Sequence, residues 1–341
     1  MRDRSRRILL LLSVAIVLLL CGNVCLGSVS IPFKNILSVL TGGTTGNLGW
    51  DYIILHSRIP SAITAMLAGM ALASSGLMLQ TTFRNPLAGP DILGINGGAG
   101  LGVALVMMAL GGNIQTGNIS LGGTLSIFAG AFAGAMIVTA IILLLSSRLR
   151  TPVMLLIAGI MVSYLTSSVI SLLNFFSAAE GVHSYVLWGM GNFAGVSSGQ
   201  LPYFSILTLA GLTASLMLVK PLNAMLLGDY YAGNLGINVR RTRTLLLLVT
   251  GVLVAVTTAY CGPVSFLGLA VPHIARLILK SGNLRCLMPV TILSGAAISL
   301  VCNLVSCLPG DRGVIPLNAI TPAIGAPVVL YVLLKQYRSV S

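Results

Sequence analysis

The chain has 341 residues, of which 56% are hydrophobic and 7% charged, and 19 Lys and Arg against 6 Asp and Glu give it a formal net charge of +13. Soluble globular domains carry about 25% charged residues, so these charges are too few to cover a water-facing surface, and the solvent that fits is a bilayer, whose hydrocarbon asks for no polar side chains. No basic helix or aromatic-plus-basic patch stands out from the apolar runs, which argues against reading the charge as a nucleic-acid interface.

Apolar runs bounded by charge, proline or polar clusters fall at about residues 8–27, 57–80, 92–110, 121–146, 152–174, 201–219, 244–260, 262–279, 286–308 and 319–335. A span with its loop takes about 30 residues, so residues 1–341 read as one transmembrane domain of about ten helices. The first run follows Arg2, Arg4, Arg6 and Arg7 and has the look of a signal peptide. Leu20 is bulky before Cys21, and the apolar stretch continues to Leu26, so the run is read as an uncleaved first span.

Ten spans put both termini on one face. With that face inside, it receives the N-terminal arginines, Arg84, Arg148, Arg150, Lys220, Arg240, Arg241, Arg243, Arg276, Lys280, Arg285, Lys335 and Arg338. Lys34, Arg58 and Arg312 alone of the 19 basic residues fall outside. Span count and positive-inside bias are independent readings, and together they predict a multi-pass inner-membrane protein with cytoplasmic termini. The outer segments are 28–56, 175–200 and 309–318; the second, with Glu180, His183 and Trp188, has room for a short helix on the outer face.

Small residues recur four apart at Gly94, Gly98 and Gly102, at Gly130 and Gly134, and at Gly69 and Ala73. Such stripes let helices approach closely. Gly97-Gly98-Ala99-Gly100 lacks the strand and acidic residue of a dinucleotide fold. The six cysteines (Cys21, Cys25, Cys261, Cys286, Cys302 and Cys307) form no CxxC pair and read as small buried hydrophobes. No paired carboxylates, HExxH or Walker sequence is present, so no catalytic or metal-ligating set is expected. His273 reads as a helix-end hydrogen-bonding residue, and His183 near Glu180 as the better candidate for a substrate or partner contact. Ion-coupled carriers usually need carboxylates inside their spans; their scarcity here argues against a secondary transporter and for energy supplied by a partner. A membrane-embedded enzyme would need His, Asp or Glu clustered at one depth, which the span map does not provide.

One inside segment, 221–241, is too polar to span and too patterned for a linker. Leu227, Tyr231, Asn234 and Leu235 share one helical face, and Gly228 and Gly236 are expected to break it into two short helices. Its competing readings are an interfacial helix and a docking element for a cytoplasmic subunit.

Four stretches in chain order resemble the FecCD-type permeases, the membrane subunits of type II ABC importers for ferric siderophores, haem and cobalamin. They are Arg58-Ile59-Pro60; Phe83-Arg84-Asn85-Pro86-Leu87-Ala88-Gly89-Pro90-Asp91-Ile92-Leu93-Gly94 with Gly97-Gly98-Ala99; Leu227-Gly228-Asp229, Ala232 and Leu235-Gly236-Ile237; and Gly262-Pro263-Val264-Ser265-Phe266-Leu267-Gly268 through Val271-Pro272-His273. Thr321 and Gly325-Ala326-Pro327 add a shorter match. The resemblance implies a homodimer of ten-helix subunits with the pathway between them. It also implies two cytoplasmic ATPase subunits and a periplasmic or lipid-anchored binding protein. Segment 221–238 becomes the coupling element, with Leu227, Gly228, Asp229, Ala232, Leu235 and Gly236 as its candidate residues. Arg58 would dock the binding protein, with Arg312 substituting for a further basic position of the family that aligns near Cys307; Ser61 stands where the Arg-x-Pro-Arg pattern repeats arginine. Asn85, Pro86, Gly94, Gly97 and Gly98 are the pathway and turn candidates. The chain itself would hold no cofactor, ATP and Mg being bound by the partner. The expected cargo is an iron chelate, ferric siderophore or haem, with vitamin B12 as the alternative.

Overall fold

The computed structural model describes residues 2–111, 114–116, 119–121, 123–149, 151–308 and 313–338. Helix α1 (Arg2–Cys25) is an unbroken run without proline. Two short helices follow, α2 (Phe33–Leu40) and α3 (Leu48–Ile53), the latter capped by the Asn47 side chain, which accepts from the backbone N–H groups of Gly49 and Trp50. A π-turn, Ile54–Arg58, carries α3 directly into α4 (Ile59–Phe83). The expected second span therefore begins inside a 36-residue apolar helix, Leu48–Phe83.

A 3₁₀ turn, Pro90–Leu93, leads to α5 (Ile95–Ala104) and a π-turn, Leu105–Ala109. Next comes an antiparallel hairpin, β1 (Ile114–Thr116) with β2 (Ile119–Leu121), Ile114 opposite Leu121. This hairpin is absent from the sequence expectation, which passed from one span to the next here. Then follow α6 (Thr124–Arg148), α7 (Pro152–Phe176) and α8 (Ala179–Gly189), the last being the expected short helix of the outer segment. Helix α9 (Leu201–Met217) bends by 47° into α10 (Val219–Met225). The chain continues through α11 (Asp229–Asn234), α12 (Val239–Cys261), α13 (Leu267–Leu279), α14 (Leu284–Cys307) and α15 (Leu317–Arg338).

Among the described residues, six helices are long and apolar enough to cross a bilayer, seven if α9 and α10 form one bent span. Three shorter apolar helices, Ile95–Ala109, Leu267–Leu279 and Leu317–Val332, stand where the remaining spans were expected. Helix α13 shows why they are short. Gly262 (φ +72°) and Phe266 (φ +67°) hold the start of the expected 262–279 span out of helical geometry. The remaining 13 residues rise only about 20 Å at 1.5 Å each, against a hydrocarbon core of about 30 Å.

Helix α4 runs through the centre, packed against α14, α12, α13 and α9. Its small side chains make this possible: a Cβ on Gly76 would collide with the carbonyl oxygen of Gly268 on α13, and one on Gly69 with that of Gly295 on α14. Gly98 and Gly102 of α5 meet Gly134 and Gly130 of α6 in the same way, as the four-residue spacing predicted. Polar contacts supplement the packing. Asn303 Nδ2 donates to Asn23 Oδ1 at 2.8 Å, and Asn23 Nδ2 to the Leu300 carbonyl at 3.2 Å, tying α1 to α14.

Candidate coupling and pathway site

The site begins where α4 ends. Arg84 adopts a left-handed conformation (φ +47°), and its N–H closes the last turn onto Gln80 and Thr81. Asn85 then accepts from the Leu87 N–H through Oδ1 at 2.9 Å, and its own carbonyl accepts from Ala88 N–H at 3.1 Å. With Pro86 barring any helical continuation, residues 84–88 form a fixed turn. Two side chains of α13 hold the turn and the end of α4 from the other side. The His273 Nε2–H donates to the Pro86 carbonyl at 2.8 Å, and Arg276 donates to Gln80 Oε1 at 2.7 Å. His273 thus has the helix-end structural role expected of it.

Beyond the turn, Asp91 accepts from Asn96 Nδ2, and Asn96 Oδ1 accepts from Thr258 of α12 at 2.8 Å. The Asp91–Asn96 pair therefore ties the 3₁₀ turn and the start of α5 to α12. Asp91 stands within the Phe83–Gly94 stretch, but no local pattern marks this role, because Thr258 lies 162 residues beyond Asn96. Gly94, at φ +76°, faces Gly159 and Ser163 of α7; Gly97 faces Thr166 of α7; Gly98 is buried against α6. The five pathway candidates thus divide. Asn85 and Pro86 shape the turn, whereas the three glycines make helix contacts.

The segment 219–238 lies on the same arginine-rich face. As expected, it forms two short helices, α10 and α11, with breaks at Gly228 (φ +120°) and Gly236 (φ +80°). Its inner side is anchored: Leu222, Met225 and Ala232 are buried with Leu77 and Met78 of α4. Ala232 is thus a seat for α11 on the core and offers nothing to an outside partner. Leu227, Tyr230, Tyr231 and Leu235 are 63–79% exposed, a concentration of large apolar side chains in a polar segment.

Asp229 stands between the turn and the segment. Its Oδ1 accepts from Arg84 at 3.0 Å and its Oδ2 from Arg243 of α12 at 2.8 Å. Arg84 also donates to the Met225 carbonyl at 3.2 Å, closing the end of α10. The same use of arginine recurs on this face: Arg4 donates to the Ile278 carbonyl at the end of α13, and Arg240 to that of Ser147 at the end of α6. Helix C-termini leave carbonyls without intrahelical partners and carry partial negative charge, so cations suit them.

On the opposite face Arg58 does likewise. It is only 6% exposed, and its guanidinium donates to the carbonyls of Val24 and Cys25, each at 2.9 Å, and of Val29. So placed, it closes the end of α1 and is not presented to an outside partner, contrary to the docking expectation. The local Arg-x-Pro pattern gave no sign of this, because the acceptors lie about 30 residues earlier. Arg312 lies outside the described residues. His56 pairs with Ser198 at 2.9 Å, and His183 is exposed on α8. Glu180 lines a crevice of about 370 Å³ with Met107, Met108 and Ser184. No cluster of three His, Cys, Asp or Glu suited to a metal ion occurs among the described residues.

The architecture is that of a polytopic, almost entirely helical membrane protein, with a short two-helix segment that exposes large apolar side chains on its basic face. Residues 13–335 match the model of the FecCD transport family, and the chain belongs to that family. It is 34% identical over 335 residues to the vitamin B12 import system permease protein BtuC of Escherichia coli O127:H6, covering 97% of this chain and 96% of that one. It is 31% identical over 339 residues to the hemin transport system permease protein HmuU of Yersinia pestis, covering 98% and 97%. The solved structure of a metal-chelate type ABC transporter in an inward-facing conformation superposes with a TM-score of 0.84 at 28% identity, covering 97% and 99%. The chain is accordingly a permease subunit of a type II ABC importer, a family of transport subunits rather than enzymes.

Proposed function

We propose that this permease, as a homodimer in the inner membrane with cytoplasmic termini, imports an iron chelate, ferric siderophore or haem, using ATP hydrolysed by two separate subunits docked on α10 and α11. The observation that carries the docking site is the exposed set Leu227, Tyr230, Tyr231 and Leu235 on a segment whose inner side is anchored in the core. An interfacial helix would keep its aromatic side chains at headgroup depth with cationic neighbours along its polar face. Here the two helices are six and seven residues long, and an acidic residue opens the second. A protein cleft suits that shape better.

The second copy belongs against α7. This helix packs with one side on the 90–97 turn and leaves Met161, Tyr164, Leu165, Leu172 and Phe175 exposed on the rest of its surface. A pathway between two copies would then run beside the turn that Asp91 and Asn85 shape. A periplasmic or lipid-anchored binding protein would meet the opposite face, where α2, α3 and α8 lie.

The hemin permease supports the iron-chelate reading. The 34% match to a vitamin B12 permease supports cobalamin as the second reading. The deciding experiment is uptake into proteoliposomes holding the permease, its ATPase and its binding protein, with haem, a ferric siderophore and cyanocobalamin supplied in parallel. ATP-dependent accumulation of either iron compound alone is expected. Cyanocobalamin uptake alone establishes the second reading, and uptake driven by an ion gradient without ATP contradicts both.

A further inference from the structure

Three elements of the basic face meet at one carboxylate. Arg84 ends the central helix and begins the turn of Asn85 and Pro86; Asp229 begins α11; Arg243 lies in the first turns of α12. The two bonds use different oxygens, so Asp229 connects both arginines at once. Arg84 adds a further bond to the end of α10. No other side chain among the described residues forms an ion pair, so the single joined set of charges in the described structure lies at this crossing.

We infer that the Arg84–Asp229–Arg243 set is the joint that passes movement of the ATPase-docking segment to the turn after α4. The inference rests on the docking reading of α10 and α11 and assigns to Asp229 a task distinct from contact with the partner. Arg84 is the positioning residue. It is covalently next to Asn85 and stands on the end of a helix packed on all sides, so a pull on it is delivered to the turn. The half-exposed positions of Arg84 and Asp229 keep the bond exchangeable. Arg243 supplies the second arrangement that a switch requires. It is mostly buried, and its Nε is enclosed with no acceptor among the described residues. A shift of α11 that breaks the Arg84 bond lets Arg243 take the carboxylate at two points, through Nε and its terminal nitrogen, the favoured geometry of arginine with a carboxylate. The turn is then free of α11.

The test uses the complete importer in nanodiscs, with Leu87→Cys in the turn as a reporter for maleimide labelling; Leu87 is 40% exposed. The labelling rate is expected to change severalfold between the nucleotide-free state and ATP with vanadate. Arg84→Gly removes the guanidinium while suiting the left-handed backbone. It should cut that change below about twofold, with the ATPase still bound and the thermal midpoint shifted by no more than about 2 °C. Asp229→Asn, a near-isosteric second variant, should do the same, and the exchanged pair Arg84→Glu with Asp229→Lys should restore at least half of the change. A full nucleotide-dependent change in both single variants overturns the joint, as does no change at Leu87→Cys in the otherwise unaltered chain. A permease that retains no ATPase before any joint mutation overturns the docking reading, and the joint with it.

Discussion

Helices α4 and α7 are both 25 residues long and both apolar enough to span, yet within an apolar 18-residue stretch of each, 83% of the residues are buried in the span containing α4 and only 22% in α7. Hydropathy does not separate them; side-chain size does. Over its inner turns α4 is built from Ala65, Ala68, Gly69, Ala71, Ala73, Ser74, Ser75 and Gly76, whereas α7 presents Ile157, Met161, Tyr164, Leu165, Leu172 and Phe175. In a bilayer, where lipid tails are as apolar as leucine, helices associate by close approach and polar contacts rather than by escaping the solvent. Small residues therefore mark the helix that others surround, and large ones the helix that faces lipid or a second copy. The basic face repeats the contrast on a smaller scale: the inner sides of α10 and α11 are seated in the core, and their outer sides are open.

Breaking the centre should produce the largest effect. Gly76→Ala drives a methyl group into the Gly268 carbonyl, and because the obstacle is backbone the cost should exceed the usual ~1–3 kcal/mol of overpacking. The expected outcome is loss of monodisperse protein in detergent chromatography. Next comes Arg58→Ala, which strands three carbonyls at the end of α1. A loss of about 1.5–3 kcal/mol is expected from hydrogen bonds to a charged group, read as a lowered thermal midpoint, while affinity for the binding protein stays within about twofold. If that affinity collapses with the fold intact, Arg58 is a docking residue after all.

Smaller effects belong to the periphery. Arg84 and Asp229 are roughly half exposed, and exposed pairs are worth about 0–1 kcal/mol. Arg84→Gly should therefore leave stability nearly unchanged while reducing transport per ATP hydrolysed at least about fivefold. Tyr164→Ala on α7 should change thermal stability by no more than about 0.5 kcal/mol, as an exposed substitution, yet shift the permease toward monomer in dilute detergent. A large drop in the monomer's own stability would instead place Tyr164 in a packed site.

Most of the helices were legible in the sequence, because span length, charge asymmetry and four-residue glycine spacing are local patterns. The two short helices of 219–238 were legible for the same reason, their glycines marking the breaks. What escaped were features set by distant partners. Residues 262–266 read as helix because they are apolar, but Phe266 takes a left-handed conformation beside Gly325 and Asp91. Arg58 read as an outward cation, but its acceptors lie near residues 24–29. Arg84 and Asp229 stand in separate motifs 145 residues apart, and no single sequence indicates that they touch.

The central claim is that the open side of α10 and α11 is where an ATPase grips. A photo-crosslinking residue at Tyr231, compared with one at Tyr164, tests it most directly in the assembled importer. The account predicts an ATPase adduct from Tyr231 and a permease–permease adduct from Tyr164. Lipid adducts alone at Tyr231, in an importer that hydrolyses ATP and transports, would contradict it.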